Sequence, residues 1–289
     1  MKVLLAGEID AEWRRELSTA MPEANWVDVD SDAEAAVVAN PPPGALAAAP
    51  KLRLIQSLWA GVDRLLGDPT LPPGVPVARM VDPAMSAAMA ETALWATLSL
   101  HRGFFGYARQ QRQGQWLQHG QRRADEVAVL VLGQGEMGRC AATRLAAQGY
   151  RVSGWRRGVE LAPLLASHEI VINLLPLTPQ TRGLLDAAFF AALPRGASLV
   201  NLGRGPHVVD ADLLAALDSG QLGHAVLDVF HTEPLPPEHR FWAHEQVTLL
   251  PHVAAATDPR SASAVAVANL RALRDGTPLQ HLVERSRGY

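Results

Sequence analysis

The chain has a single cysteine, Cys140, among its 289 residues. One thiol cannot build an intramolecular disulfide framework or a multi-cysteine metal site, and such scarcity is typical of a reducing compartment. No stretch of about 18 apolar residues occurs, which argues against a membrane-spanning helix. The N-terminus turns acidic at Glu8 and Asp10 without the extended apolar segment of a signal peptide. We therefore expect a cytoplasmic protein that uses no metal.

Charge of either sign is also sparse, because charged residues make up only 19% of the chain and the net charge is −3. Lysine and arginine are scattered and form no basic stripe, so nucleic acid and membrane surfaces are not expected partners. A hydrophobic content of 48% lies in the ordinary globular range. At this length the chain can build two modest domains, each with a buried core.

Short apolar runs alternate with helical patterns along most of the chain, which indicates parallel sheets covered by helices. We expect an α/β protein with two Rossmann-like, doubly wound parallel sheets, one flavodoxin-like and one dinucleotide-binding, and a cleft between the two domains. The predicted strands of the first region are Val3–Ala6, Ala35–Ala39, Leu54–Ser57 and Val75–Ala78, and a helix is predicted over Ala11–Ala20. Those of the second region are Val127–Leu132, Ile170–Leu175, Ser198–Leu202, Ala225–Val229 and Val247–Leu250.

Two helical stretches predict how the chain passes between these domains. The segment from Ser86 to about Arg112 has no proline and carries apolar residues at helical spacing, which predicts one long helix with a crossing near Glu91. Ser261–Arg274 predicts a helix that returns to the first domain. The first domain would then be discontinuous, with residues 1–91 plus 257–289 binding substrate and residues 92–256 binding a dinucleotide.

A glycine-rich turn follows the strand Val127–Leu132 directly and opens a predicted helix. Its glycines, Gly133, Gly135 and Gly138, suit a tight turn, close approach to a pyrophosphate and close packing of helix on strand. The backbone of Glu136 and Met137 would then lie at the positive end of the helix, where phosphate binds. The turn alone is a weak signal, but a strand before it and a helix after it favour a nucleotide site.

The next strand predicts which nicotinamide cofactor is used. It ends at Trp155 and is followed by Arg156 and Arg157, where NAD-binding proteins place an acidic residue for the ribose 2′-hydroxyl. Guanidinium groups pair with a 2′-phosphate that a carboxylate would repel. The sequence therefore favours NADPH over NADH.

Three residues in the second half of the chain suit the reduction of a 2-keto acid. Arg204 could bind the substrate carboxylate and polarise its carbonyl, since a guanidinium both pairs with an anion and stabilises charge that develops on oxygen. His252 could donate the proton, and Glu233 could keep the imidazole charged. Reduction should then fail at alkaline pH, where the ring no longer carries that proton.

The order of these motifs resembles the D-isomer-specific 2-hydroxyacid dehydrogenases, and within them the glyoxylate/hydroxypyruvate reductase A group. The resemblance covers almost the whole chain and is densest between Asn173 and Ala255. The matching phrases are Trp59-Ala-Gly-Val-Asp63, Gly133 to Gly138, Asn173-Leu-Leu-Pro-Leu-Thr-Pro179, Asn201-Leu-Gly-Arg-Gly-Pro-His-Val-Val-Asp210, Leu213 to Gly220, Leu227-Asp-Val-Phe230, Glu233-Pro-Leu-Pro-Pro237, Pro251-His-Val-Ala-Ala255 and Arg287-Gly-Tyr289.

The resemblance implies roles for residues that spacing alone does not assign. It makes Arg204, Glu233 and His252 the catalytic set. It places Asp228 at the nicotinamide amide, and the cofactor-binding residues implied besides it are Leu175, Pro176 and His252. It also assigns the substrate carboxylate to the loop of Trp59, Ala60 and Gly61, and it implies a homodimer formed through the nucleotide domain and the long helix.

The chain departs from its relatives at two places. Many of them have a small residue where Trp59 stands, so the indole either narrows the substrate pocket or packs on the face of its domain. The segment between Trp155 and Ile170 is shorter, which indicates a truncated helix on the adenosine side.

Three functions fit these patterns. The first is NADPH-dependent reduction of a small 2-keto acid of the glyoxylate or hydroxypyruvate type. Another is a dehydrogenase of the same family with a different substrate such as formate, phosphite or phosphoglycerate, although Glu233 counts against the formate type, which has glutamine there. The third is a non-catalytic interaction protein that senses nucleotides on the same fold. The full set of arginine, glutamate and histidine favours the enzyme.

Overall fold

The computed structural model describes all 289 residues and divides them into two compact units. The first unit comprises Met1–Met85 and Thr257–Tyr289, and the second comprises Ser86–Ala256. The chain therefore leaves the first unit earlier than residue 91, within the helix that begins at Pro83. None of the helices is both long enough and apolar enough to cross a membrane.

The first unit is built on a five-stranded parallel sheet in the order β2-β1-β3-β4-β5. Its core cluster includes Leu4, Val38 and Ile55. The strands are β1 (Lys2–Gly7), β2 (Asn25–Val27), β3 (Ala35–Ala39), β4 (Leu54–Ser57) and β5 (Val77–Ala78), with helices α1 (Ala11–Ala20) and α2 (Asp63–Leu66).

The C-terminal segment belongs to this unit through buried hydrogen bonds as well as apolar packing. After the second unit, α9 (Pro259–Asp275) begins with Asp258 as its cap and buries one face. The amide of Asn269 on this helix donates to Gln56 Oε1 on β4 at 2.7 Å, and both side chains are buried. Buried polar groups need such partners, so this pair fixes α9 in register against the sheet.

The connection into the second unit is two helices, and the prediction of one long helix from Ser86 to Arg112 is wrong. Here α3 (Pro83–His101) ends and α4 (Phe104–Arg112) starts after Gly103, whose φ is +71°. Glycine adopts this left-handed conformation without steric cost, so the chain can turn there.

The second unit contains a six-stranded parallel sheet in the order β11-β10-β9-β8-β6-β7. Its strands are β6 (Ala128–Leu132), β7 (Arg151–Trp155), β8 (Ile170–Asn173), β9 (Ala197–Asn201), β10 (Leu222–Leu227) and β11 (Val247–Leu249). Its remaining helices are α5 (Glu136–Ala147), α6 (Ala162–Ser167), α7 (Ala187–Ala191) and α8 (Asp210–Asp218).

Both faces of this sheet are covered, as the near-continuous apolar strands predict. Successive residues of a strand point to opposite faces. Accordingly, Leu130 and Leu132 of β6 join one buried cluster, while Val129 and Val131 join another on the other side. The central strands are therefore part of the core, and functional side chains are expected in the turns at the strand ends.

The strand ends of the second unit are aligned in one row. Leu132 pairs with Trp155 on one side and with Asn173 on the other. Asn173 pairs with Asn201, which pairs in turn with Leu227, and Leu227 pairs with Leu249. Because all strands are parallel, the turns that leave these residues emerge at the same edge, which is where ligands bind in doubly wound sheets.

Candidate active site

The predicted catalytic residues lie in the turns after three neighbouring strands of the second unit. Arg204 follows β9, Glu233 follows β10, and His252 follows β11. The three strands are adjacent in the sheet, so residues far apart in sequence reach the same end of the same edge. The order of the strands in the sheet thereby explains why these three residues lie close together, which the sequence could only suggest.

Glu233 and His252 form a direct pair. The imidazole Nδ1 lies 2.7 Å from Glu233 Oε2, and the other carboxylate oxygen accepts a hydrogen bond from the Phe230 N–H at 2.9 Å. Since a carboxylate accepts, Nδ1 carries the hydrogen, and Nε2 is the ring atom that can exchange a proton with a ligand. The His252 side chain is 51% exposed and that of Glu233 is 36% exposed, so the pair is accessible.

The backbone of His252 is held in an unusual conformation by Asp228. His252 has a φ of +56° and donates its N–H to the Asp228 carbonyl at 2.9 Å. The Asp228 carboxylate, which is 1% exposed, accepts from the Val253 N–H at 2.7 Å and the Ala254 N–H at 3.1 Å. Burial raises the pKa of Asp228, and these backbone donors oppose that rise. Asp228 therefore fixes the turn that presents His252.

Arg204 is anchored through its backbone. Its N–H donates to His207 Nδ1 at 3.2 Å, and its carbonyl accepts from Asn201 Nδ2 at 3.1 Å. Its Nη1 donates to the Gly203 carbonyl at 2.8 Å, and a guanidinium carries five N–H donors in a fixed fork that matches a carboxylate. The side chain is partly buried, where a charge-assisted hydrogen bond is stronger than in open water.

A buried network behind Arg204 is the part of the site that sequence reasoning missed. His207 is fully buried, and its Nδ1 also accepts from Asn173 Nδ2 at 2.8 Å. Nε2 therefore carries the ring hydrogen and faces the Pro176 carbonyl at 3.3 Å. Asn173 also donates to Asn201 Oδ1 at 2.9 Å. The available signal was the polar residues that end two otherwise apolar strands, since buried polar groups need partners.

The turn of Arg204 contacts the turn of Glu233. A Cβ added to Gly205 would lie 1.9 Å from the carbonyl carbon of Phe230 and 2.5 Å from the His231 nitrogen. Only glycine permits this approach of two backbones. Gly205 follows Arg204, and Phe230 binds Glu233, so this contact fixes the two charged groups relative to each other.

The glycine-rich turn has the geometry of a nucleotide cradle. Gly133 has a φ of +99°, and a Cβ on Gly138 would meet the Gly133 carbonyl oxygen at 1.9 Å. Gly135 is the N-cap residue of α5, and it makes no side-chain hydrogen bond to the helix. The space where its Cβ would stand is open. An uncapped helix N-terminus with room in front of it fits the pyrophosphate of a dinucleotide.

The other predicted nucleotide residues lie around this turn. Glu136 is exposed and forms an ion pair with Arg139, while Met137 is partly buried against the core. Trp155 donates its indole N–H to the Val159 carbonyl at 2.8 Å. Arg156 and Arg157 are exposed, and neither guanidinium is paired with a carboxylate. Two unpaired cations at the end of β7 suit an anionic group.

The predicted substrate loop lies in the first unit, directly after β4. The N–H of Trp59 is bound to Ser57 Oγ at 3.0 Å, whereas the N–H groups of Ala60 and Gly61 have no partner within the chain. Of the three residues, Ala60 and Gly61 thus have backbone donors available for a carboxylate. The indole of Trp59 packs edge-to-face on buried Trp13, with ring centroids 6.2 Å apart. That contact places the indole on the face of its own unit.

A family model for the NAD-binding domain of D-isomer-specific 2-hydroxyacid dehydrogenases matches residues 94–254. The chain is 40% identical to glyoxylate/hydroxypyruvate reductase A of Serratia proteamaculans, with 96% of both proteins covered.

Solved structures give the same result over the full length. A D-isomer-specific 2-hydroxyacid dehydrogenase from Xanthobacter autotrophicus, in complex with NADPH and MES, is 39% identical with a TM-score of 0.95, covering 100% of this chain and 99% of that one. An NADPH-dependent glyoxylate/hydroxypyruvate reductase from Sinorhizobium meliloti, in complex with NADP and sulfate, is 34% identical with a TM-score of 0.94 and the same coverage. This chain therefore belongs to the D-isomer-specific 2-hydroxyacid dehydrogenase family.

Proposed function

We propose that the chain catalyses the NADPH-dependent reduction of a small 2-keto acid, of the glyoxylate or hydroxypyruvate type, to the 2-hydroxy acid. The observation that carries the proposal is the pair of His252 and Glu233, 2.7 Å apart, in turns next to the turn of Arg204. A fixed cation and a proton donor held by a carboxylate are what this reduction requires of the protein.

The proposed roles follow from the geometry of each group. Arg204 binds the substrate carboxylate and polarises the ketone, so its interaction strengthens as charge develops on the carbonyl oxygen. His252 donates the proton on Nε2 to that oxygen, while Glu233 stabilises the charged ring through Nδ1. In the oxidative direction the same ring takes the proton back. When bound, NADPH supplies the hydride that completes the reduction at the carbonyl carbon.

We propose that the second unit binds the dinucleotide and that the first binds substrate. Gly133, Gly135 and Gly138 with the backbone of Glu136 and Met137 would receive the pyrophosphate. Leu175, Pro176 and Asp228 would lie at the nicotinamide end. In the first unit, the free N–H groups of Ala60 and Gly61 support a role in holding a carboxylate.

The preference for NADPH rests on the turn after β7. Arg156 and Arg157 are exposed and unpaired, and a pair of guanidinium groups can hold a 2′-phosphate bidentately. The relatives from Xanthobacter and Sinorhizobium are described as complexes with NADPH and NADP.

We further propose that the chain forms a homodimer and works in the cytoplasm. Support for the dimer comes from exposed apolar side chains on α3, on α4 and in the segment that follows, since large exposed apolar patches mark interaction sites. These side chains are Trp95, Leu98, Phe104, Trp116 and Leu117.

The test is an absorbance assay of NADPH and NADH oxidation with glyoxylate, hydroxypyruvate, pyruvate and bulkier 2-keto acids. We expect turnover with the small acids and a higher kcat/KM with NADPH. Binding of NADPH without turnover of any acid would contradict the reductase and favour a nucleotide-sensing protein. Better turnover with NADH would contradict the role of Arg156 and Arg157.

A further inference from the structure

A cluster of one carboxylate and two imidazoles lies beside the proposed active site and is used by none of its steps. Asp210, the first residue of α8, has Oδ1 3.6 Å from His231 Nε2 and Oδ2 3.5 Å from His239 Nε2. The side chains of Asp210 and His239 are largely shielded from solvent, and that of His231 is half exposed. Each oxygen of the Asp210 carboxylate thus faces a different histidine.

The three residues link the turn that carries Arg204 to the segment that carries Glu233. Asp210 follows Arg204 after a short turn, Gly205–His207. His231 precedes Glu233 by two residues, and His239 follows it by six. The Asp210 carboxylate therefore contacts the Glu233 segment on both sides of Glu233, while its own backbone continues from the turn that carries Arg204.

Two contacts hold the His231 ring beside Glu233. Its Nε2 donates to the Val208 carbonyl at 2.8 Å, and the Asp210 carboxylate lies 3.6 Å from the same nitrogen, which is a charge contact and not a hydrogen bond. The neighbouring residue, Phe230, donates its N–H to Glu233 Oε1 at 2.9 Å. A shift of His231 would move that N–H, and Glu233 would lose alignment with the His252 ring. Small displacements of this kind reduce catalytic rates strongly.

The second histidine is oriented for the same carboxylate. His239 Nδ1 accepts from the Phe241 N–H at 3.3 Å, so the ring hydrogen is on Nε2 and faces Asp210. The titratable groups that face Asp210 are His231 and His239, and those near Glu233 are His252 and Asp228. Burial raises the pKa of Asp210, and the two histidines counteract that rise.

We infer that Asp210 is a positioning residue for the reduction: through His231 and His239 it holds the segment of Glu233 against the turn of Arg204. The inference rests on the proposed function and adds to it a residue outside the catalytic set. Asp210 lies outside the catalytic set and contacts His231 and His239, so it acts through the alignment of Glu233 and His252.

The test compares Asp210→Asn with a matched control, Asp212→Asn. Both aspartates lie in the first turn of α8, but Asp212 accepts from the Ala187 N–H and contacts no residue of the Glu233 segment. We expect Asp210→Asn to lower kcat by about tenfold with an unchanged KM for NADPH, because alignment and not binding is lost. Asp210→Glu should restore part of the kcat.

Further variants separate alignment from stability. His231→Asn should also lower kcat, and the double variant should lose less than the product of the two single losses, since both changes remove the contact between Asp210 and His231. An equal fall of kcat in Asp212→Asn, or an unchanged kcat in Asp210→Asn at equal melting temperature, would overturn the inference. Absence of keto acid turnover in the unmodified chain would instead overturn the proposed function.

Discussion

The two halves of the six-stranded sheet in the second unit differ in how they prepare for a ligand. The turns after β6 and β7 offer bare backbone at Gly135 and two unpaired guanidinium groups at Arg156 and Arg157. The turns after β9, β10 and β11 offer side chains that already have partners, such as the pair of Glu233 and His252. We call these the nucleotide half and the reaction half.

The difference follows from the chemistry proposed for each half. A pyrophosphate is bound by N–H groups and a helix dipole, so the nucleotide half needs open space and glycine. Proton transfer depends on distances fixed before the substrate arrives, so the reaction half needs side chains locked by hydrogen bonds. Changes in the reaction half should therefore affect turnover, and changes in the nucleotide half should affect cofactor binding.

Removing the cation of the reaction half should have the largest effect. Arg204→Leu should lower kcat/KM for the keto acid by about a thousandfold or more, because the variant can neither bind the carboxylate nor stabilise charge on the carbonyl oxygen. The Kd for NADPH, measured by nicotinamide fluorescence, should stay the same. A large rise in that Kd would contradict the division of the sheet into two halves.

Changing the carboxylate partner of His252 should have a smaller effect on the rate. In Glu233→Gln the ring loses a charged neighbour, so kcat should fall by about thirtyfold. Steady-state kcat with a small 2-keto acid provides the measurement, and an unchanged kcat would argue against this pairing.

Removing the cations of the nucleotide half should reverse the pattern. Arg156→Ala together with Arg157→Ala should raise the KM for NADPH by about tenfold while kcat stays constant, since the two lost pairings with a phosphate are together worth roughly 1.4 kcal/mol. The KM for NADH provides the control, because NADH lacks the 2′-phosphate. An equal rise of KM for both cofactors would show that these arginines do not bind the 2′-phosphate.

The smallest expected effect is on the free energy of unfolding at acidic pH. It is tested on two histidines of the reaction half, His224 and His252. His224 on β10 is buried, stacks on Phe105 with ring centroids 4.5 Å apart, and burial lowers its pKa from 6.5 to about 4. Because the pKa of His224 is lower in the folded chain, protonation favours the unfolded chain. The contribution of His224 to stability is therefore complete above pH 6.5 and is lost as the pH falls towards 4. The full loss amounts to about 3 kcal/mol.

Urea unfolding at neutral and acidic pH tests this assignment. His224→Gln should lose less stability than the unmodified chain between pH 6.5 and 4, because glutamine takes up no proton. Half-exposed His252 provides the matched control, and His252→Gln should leave this acid loss in place. Parallel losses in the unmodified chain and His224→Gln would show that the acid sensitivity lies elsewhere.

The long apolar strands were predictable because burial on both faces leaves a clear pattern. Ala35–Ala39 and Leu54–Ser57 have the predicted bounds, and the strands of the second unit lie within a few residues of theirs. β2 was not predicted, since Asn25–Val27 is a short, partly exposed edge strand with no apolar run. The break at Gly103 was missed because apolar spacing continues on both sides of it.

Within the site, the residue types were readable from sequence, whereas their connections were not. Characteristic sequence motifs contain Arg204, Glu233 and His252, so their chemistry could be inferred from the sequence alone. The buried links through His207 and Asn173 depend on which strands are neighbours, and a sequence does not state that order directly. The same holds for Asp210, whose two histidines lie more than twenty residues away in the chain.

The central claim is that the reaction half performs the chemistry on a cofactor that the nucleotide half binds independently. The most direct test is to measure the Kd for NADPH and single-turnover reduction of glyoxylate in the unmodified chain and in His252→Gln. We expect equal Kd values, with fast NADPH oxidation in the unmodified chain and oxidation slower by about a hundredfold or more in the variant. Undiminished oxidation in His252→Gln, or a lost affinity for NADPH, would contradict the claim.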